Sequence, residues 1–217
     1  MTDFATRRRM MVDTQVRPSD VTEFPIIDAM LSVPREAFVP RDRIEAAYAS
    51  EHVDLGEGRV LLDPRVFAKI LDALNLTNSD LVLDIGAGYG YSSAVVARIA
   101  EAVVAVEEAE SLADEAQALL TEHHADNVVL HTGALTQGAE EHGPYDAILI
   151  EGGVEVLPQG IVAQLKEGGR IAVIFMEGAL GTVRIGHKLD GQINWRFAFN
   201  GTAPIMQGFE KAAEFAL

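Results

Sequence analysis

No cysteine occurs among the 217 residues. Disulfides, thiol nucleophiles and thiolate-bound metals are therefore excluded, which agrees with a reducing compartment. Cations are also scarce: 17 Lys and Arg stand against 33 Asp and Glu, a formal net charge of −16. Holding a nucleic-acid backbone takes Lys and Arg, so no nucleic-acid partner is expected. The one basic cluster, Arg7-Arg8-Arg9, is short and reads as the solvated face of an N-terminal helix. No run approaches the ~20 apolar residues a membrane span needs. MTDFATRRRMMVDTQVRP has no apolar stretch after its arginines, so no secretory signal is expected either. The expectation is a soluble, cytoplasmic protein; nothing in the sequence sets its oligomeric state.

What is present is ordinary globular material: 48% hydrophobic and 23% charged residues, enough chain to bury a substantial core. The pattern changes near residue 78. Before it, Asp3 to Val16, Glu23 to Leu31 and Arg41 to Ala49 read as short helices punctuated by Pro18, Pro34 and Pro40. A glycine-bearing loop, LGEGRVLLDP, leads to Pro64 and a helix in which Val66, Phe67, Ile70, Leu71 and Leu74 recur at helical spacing.

After residue 78, short apolar runs at Leu81–Ile85, Ala102–Val106, Val128–His131, Ala147–Ile150 and Arg170–Phe175 alternate with helical segments. Those segments are Tyr91–Ala100, Ala109–His123 and Val154–Leu165. Continuous apolar strands alternating with helices predict a parallel sheet covered on both faces. Asp190-Gly191, between two extended runs, predicts an antiparallel hairpin at the sheet edge. Trp195 and Phe197 on that hairpin read as core or edge packing, or, where exposed, as a contact for a peptide. The simplest division is a helical N-terminal extension over residues 1–77 and an α/β domain over 78–217, forming one structural unit.

The run LDIGAGYGYSS places Gly86, Gly88 and Gly90 between a strand and a helix start. Without Cβ atoms they permit a tight turn and a close approach of ligand to main chain. A dinucleotide fingerprint requires G-x-G-x-x-G; here the third glycine comes one residue early, which argues against NAD and FAD. Glu107, in AVVAVEEAE, lies about 20 residues on, where a carboxylate can accept from ribose hydroxyls. Glu108 is equally able to cap the next helix. Asp84, at the loop mouth, can face a ligand ammonium directly or through water. A nucleoside with a zwitterionic tail and no pyrophosphate suits this combination: S-adenosylmethionine.

No metal site is expected. His123 and His124 neighbour Glu122 and Asp126, but adjacent helix residues point to different faces. His52, His131, His142 and His187 are scattered.

VPREAFVP, AYASEHVDLGEGRVLLDP, VLDIGAGYGYSSAVVARIA, PYDAILIEGG and VLPQGIVAQLKEGGR occur in an order and spacing that resemble the protein-L-isoaspartate O-methyltransferases. The resemblance implies a Rossmann-like, doubly wound, mostly parallel seven-stranded methyltransferase sheet. It also implies S-adenosylmethionine as cofactor and methylation of a carboxylate on damaged aspartyl residues of a protein or peptide. Against the family's GQTISxP this chain reads Gly58-Arg59-Val60-Leu61-Leu62-Asp63-Pro64. The family hydroxyl that lies between cofactor and isoaspartyl carboxylate thus falls on Leu62, which can neither donate nor accept a hydrogen bond. No confident catalytic residue is left there. Arg59, in place of the family's Gln, is either a fork for the acceptor carboxylate or an exposed loop arginine. Asp63 reads as the cap of the following helix. The acid after AY becomes Ser50, and the Gly-Asp beside the adenine becomes Gly133-Ala134. Three functions stay open: isoaspartyl repair, methylation of another acceptor, and a non-catalytic interaction role on the same fold.

Overall fold

Residues 3–212 are described in a computed structural model of the chain. Five strands form the parallel part of one sheet: β3 (Leu81–Ile85), β4 (Ala102–Glu107), β5 (Val128–Thr132), β6 (Tyr145–Val154) and β7 (Leu165–Glu177). Two more strands, β8 (Leu180–Leu189) and β9 (Gln192–Asn200), add antiparallel at one edge. The spatial order is β5-β4-β3-β6-β7-β8-β9. This is the expected seven-stranded sheet. Its edge hairpin turns at Asp190 and Gly191, both at positive φ, as a tight two-residue turn demands.

Successive strand residues point to opposite faces, so an unbroken apolar strand must feed two cores. Val82, Ala147 and Leu149 join one core, while Leu83, Ile85, Ile148 and Ile150 join the other. The first core also takes in Met11, Val16, Ile27, Met30, Phe38 and Tyr48 from the N-terminal segment. Residues before 78 therefore close one face of the sheet. The basic cluster contributes to this closure: Arg8 bonds Glu36 at 3.0 Å and the Tyr48 hydroxyl at 3.0 Å, and Arg7 pairs with Glu45 at 2.7 Å. Only Arg9 remains the exposed cation expected of a solvated face.

Helix α3 (Pro64–Leu74), which follows α1 (Phe4–Met11) and α2 (Phe24–Ser32), starts where its sequence dictates. The Asp63 carboxylate accepts from the amides of Arg65 and Val66, and Pro64 occupies the first turn. Its far end is pinned by Arg170, which donates to the carbonyls of Leu74 and Asn75 and pairs with Asp80 at 2.5 Å.

Two segments differ from the sequence reading. LGEGRVLLDP is not a plain loop: β1 (Val53–Gly56) and β2 (Arg59–Leu61) pair antiparallel around Glu57 and Gly58, both at positive φ. The stretch Val154–Leu165 holds only a short helix, α6 (Gln159–Ala163). There β6 is prolonged because the C-terminal segment runs beside it: Gly153 bridges Ile205, and the amides of Glu155 and Val156 donate to the Phe209 carbonyl. Helices α4 (Tyr91–Val96) and α5 (Glu110–Glu122) follow β3 and β4 as expected. No described helix is long and apolar enough to cross a membrane.

Candidate functional site

In a parallel sheet, ligands gather outside the carboxyl ends of the strands. At that edge β3 ends in Ile85, and the chain turns through Gly86, Gly88 and Gly90 with φ of 84°, 56° and 89°. These are left-handed values that disfavour any side chain, so the glycines are required by the turn itself. The amides of Gly86 and Ala87 donate to the Val106 carbonyl, which holds the turn against β4. Glu107, the last residue of β4, is fully buried and accepts from the Gly88 amide at 2.9 Å. Gly133, just past β5, donates to the Glu107 carbonyl at 3.1 Å, and half-buried Ala134 follows. Asp84, Gly86, Gly88, Gly90, Glu107, Gly133 and Ala134 are thus assembled along three adjacent strand ends.

A family model described as Protein-L-isoaspartate(D-aspartate) O-methyltransferase matches residues 7–195. The chain belongs to that family. A protein-L-isoaspartate O-methyltransferase from Roseiflexus sp. (strain RS-1) is 38% identical over 79% of this chain and 78% of its own length. A solved structure named protein-L-isoaspartate O-methyltransferase superposes with a TM-score of 0.82 at 25% identity, covering 93% of this chain and 66% of the other. A Plasmodium falciparum structure named for the same family, in complex with S-adenosyl-L-homocysteine, matches with a TM-score of 0.79. It is 18% identical over 95% of this chain and 99% of that one. The resemblance carried by the sequence motifs, the methyltransferase fold and the O-methyltransferase class is therefore borne out.

Around the family's glycine loop lies a buried charged cluster. Asp84 is fully buried, and its Oδ2 accepts from the hydroxyls of Ser92 at 2.6 Å and Ser93 at 2.5 Å. Its Oδ1 makes no hydrogen bond. Burial pushes the Asp84 carboxyl up to about 6, aided by the charge of Glu107 and opposed by the two serine hydroxyls. Glu151, on β6, is also buried with Oε1 unbonded. Burial and then the Asp84 charge raise it well above the usual carboxylate range. Arg35 is completely buried, donating to the carbonyls of Ala47 and Leu62 at 2.6 Å each, with one guanidinium nitrogen unbonded.

Sequence reasoning assigned no role to Glu151 or Arg35. For Glu151 a signal existed: an acid interrupting the apolar run AILIEGGV at the carboxyl end of a parallel strand. Arg35 gave none beyond its place in VPRE, because what matters is its burial, a product of tertiary packing.

Arg59 lies neither at an open acceptor site nor in solvent. It is buried, its Nε donates to Glu107 at 3.1 Å, and its Nη2 makes an ion-pair contact with the same carboxylate at 3.1 Å. Leu55 covers the loop from the same hairpin: a methyl group on Gly88 would sit 2.7 Å from Leu55 Cδ1. Met206 lies over Gly86, its sulfur 3.0 Å from the place of a methyl there. Leu62 points into the core and is 1% exposed, while its carbonyl serves Arg35. Val60 is half-buried and Ser50 exposed.

Beside this segment a groove of about 630 Å³ runs between Ser50, His52, Asp63 and Arg65 on one side and Leu180, Thr182 and Thr202 on the other. His52 accepts from the Asp63 amide through Nδ1 and thereby donates through Nε2 to the Thr202 carbonyl. It is a bolt between the two walls.

Among the described residues, one group of metal-type ligands gathers at the end of β5, where the His131 ring lies against Gly133. His131, Glu141 and His142 hold their ligand atoms within 4.8 Å, on partly exposed surface. His123 instead stacks against Phe38 at 5.2 Å. Trp195 packs edge-on to Phe175, whereas Phe197 stands exposed on the outer strand.

Proposed function

We propose that this chain transfers a methyl group from S-adenosylmethionine to a carboxylate of a protein or peptide, with the isoaspartyl residue as the acceptor its family name specifies. The observation that carries the reading is the 2.9 Å bond from the Gly88 amide to Glu107, which binds the sugar-type acid to the glycine turn. The residues suit the cofactor at both ends. Asp84 and Glu151 offer two buried, unbonded carboxylate oxygens, a natural reception for an ammonium. Gly86, Gly88 and Gly90 let a ligand approach main chain, and Glu107 suits the ribose hydroxyls once Arg59 has left it. Gly133 and Ala134 border the adenine side without supplying an acid to read its amine.

When bound, S-adenosylmethionine supplies an electrophilic methyl group on a sulfonium. The protein has little acid–base work to do, since an aspartyl-type carboxylate with pKa ~3.9 is already ionised near neutrality. Its contribution is alignment, and well-oriented reactants gain up to roughly 7–11 kcal/mol. Asp84 and Glu107 would hold the donor's two ends, and the apolar side chain of Met206 covers the turn at Gly86. Acceptor recognition cannot run through Leu62. The adjacent groove, with the hydroxyl of Ser50 and the guanidinium of Arg65, is the surface offered to the peptide.

The test is incubation with methyl-labelled S-adenosylmethionine and matched isoaspartyl and aspartyl peptides. Base-labile label on the isoaspartyl peptide alone is expected, reduced at least about tenfold in Glu107→Gln by loss of a charged acceptor. Label on other carboxylates would move the acceptor assignment, and no label on any would defeat the proposal.

A further inference from the structure

The β1–β2 hairpin joins a fixed base to a free tip. At the base, Arg35 grips the Leu62 carbonyl and His52 bolts the Asp63 amide to Thr202. At the tip, Gly56 and Gly58 have open space where side chains would stand, and Glu57 is exposed. Between them Leu55 and Arg59 reach across to the glycine loop. What they cover is the ligand-facing side of that loop.

A carboxylate offers about four lone-pair positions. On Glu107, four N–H groups already donate, Arg59 Nε and the amides of Gly88, Glu108 and Ala109, and Arg59 Nη2 stands in ion-pair contact at 3.1 Å. A ribose diol asks for two of the same positions. The three amides belong to the loop and to the chain just after β4, so they cannot leave without unmaking the turn. The guanidinium can. Its Nη2 already lies 3.9 Å from the half-exposed carboxylate of Glu108, the neighbouring residue. A short movement of the tip therefore transfers Arg59 from a buried acid to a hydrated one, and the freed oxygens on Glu107 match what two sugar hydroxyls require.

We propose that Arg59 is a built-in competitor of the nucleoside for Glu107, so that the hairpin tip must swing outward before cofactor is held. This rests on the reading of the glycine loop as the S-adenosylmethionine site. The competitor sets affinity. If the closed arrangement outweighs the open one by about ten to one, the apparent dissociation constant rises by about the same factor. Val60 follows Arg59 on the same short strand and moves with the tip, whereas Leu62 stays at the fixed base with its carbonyl held by Arg35.

The experiment is calorimetric titration of S-adenosyl-L-homocysteine into the full chain, its Arg59→Gln variant and its Leu55→Ala variant, with amide hydrogen exchange on each. Arg59→Gln is expected to bind at least about tenfold tighter than the parent, with faster exchange over residues 55–60. Leu55→Ala, which uncovers Gly88 while leaving the ion pair, is expected to bind several-fold tighter and supplies the comparison if Arg59→Gln does not fold. In the parent, adding the ligand should slow exchange at residues 86–90 and speed it at the tip. Equal or weaker binding by the folded variants, with residues 86–90 still protected, overturns the competitor alone. No binding and no protection in any of the three proteins overturns both the competitor and the site it competes for.

Discussion

Replacing Asp84 by asparagine should raise the stability of the protein at pH 7.5 relative to its stability at pH 4.5. In the folded chain this carboxyl holds its proton to about 6, against 3.8 for the free group, chiefly because burial penalises its charged form. At about 1.4 kcal/mol for each pH unit, keeping Asp84 ionised in the folded protein costs about 3 kcal/mol. The sign follows from proton counting. Between pH 3.8 and 6 the unfolded chain has released this proton while the folded chain retains it, so raising the pH favours unfolding. The loss is complete above pH 6. About 2 of the 3 kcal/mol fall between pH 4.5 and 7.5, since the unfolded group is already mostly ionised at the lower value.

Asparagine removes this titration, and its altered bonding with Ser92 and Ser93 adds a contribution that does not depend on pH. Glu151 shifts the balance the same way, because its own proton is held partly by the Asp84 charge. Urea denaturation of parent and Asp84→Asn at both pH values gives two differences in unfolding free energy. The variant should gain about 2 kcal/mol on the parent from the lower pH to the higher. A gain below about 0.5 kcal/mol, or a change in the opposite direction, would refute the claim that Asp84 is strained by burial.

Leu62→Ser should cost about 2–4 kcal/mol in urea denaturation, because it opens a cavity at a fully buried position and places a hydroxyl there. At saturating cofactor it should leave labelled ester on an isoaspartyl peptide unchanged, because this side chain is buried and does not line the groove, and a several-fold rise would show that the acceptor reaches this position. Arg170→Met should lose about 3–5 kcal/mol, since it strands buried Asp80 and frees the carbonyls that close α3. Adding Asp80→Asn should recover part of that loss, and a single-variant loss below about 1 kcal/mol would mean the ion pair is not what fastens α3 to the sheet.

Local pattern carried most of the fold. The apolar runs at Leu81–Ile85 and Ala102–Val106 could only be strands buried on both faces, and Asp190-Gly191 could only be a tight turn. The glycine loop and Glu107 were likewise legible, because one strand crossover sets their separation. The hairpin at Val53–Leu61 is not legible, since its four-residue and three-residue strands are too short for alternation to stand out from a glycine-bearing loop. The extension of β6 is illegible for a different reason. It depends on pairing with Ile205, which no local window contains. The place of Arg59 is hidden on the same grounds: its partner is 48 residues away, and only the folded hairpin brings them together. Buried charge is where local reading fails most, because whether Arg35 or Glu151 is a surface group or a site group depends on what packs above it.

The most direct test of the account is a crystal structure of the chain grown with S-adenosyl-L-homocysteine. The account predicts the ligand along Gly86–Gly90, its ribose hydroxyls on Glu107, its ammonium beside Asp84 and Glu151, and Arg59 turned out toward Glu108. A structure in which Arg59 still grips Glu107, with the ligand bound elsewhere or not at all, would contradict it.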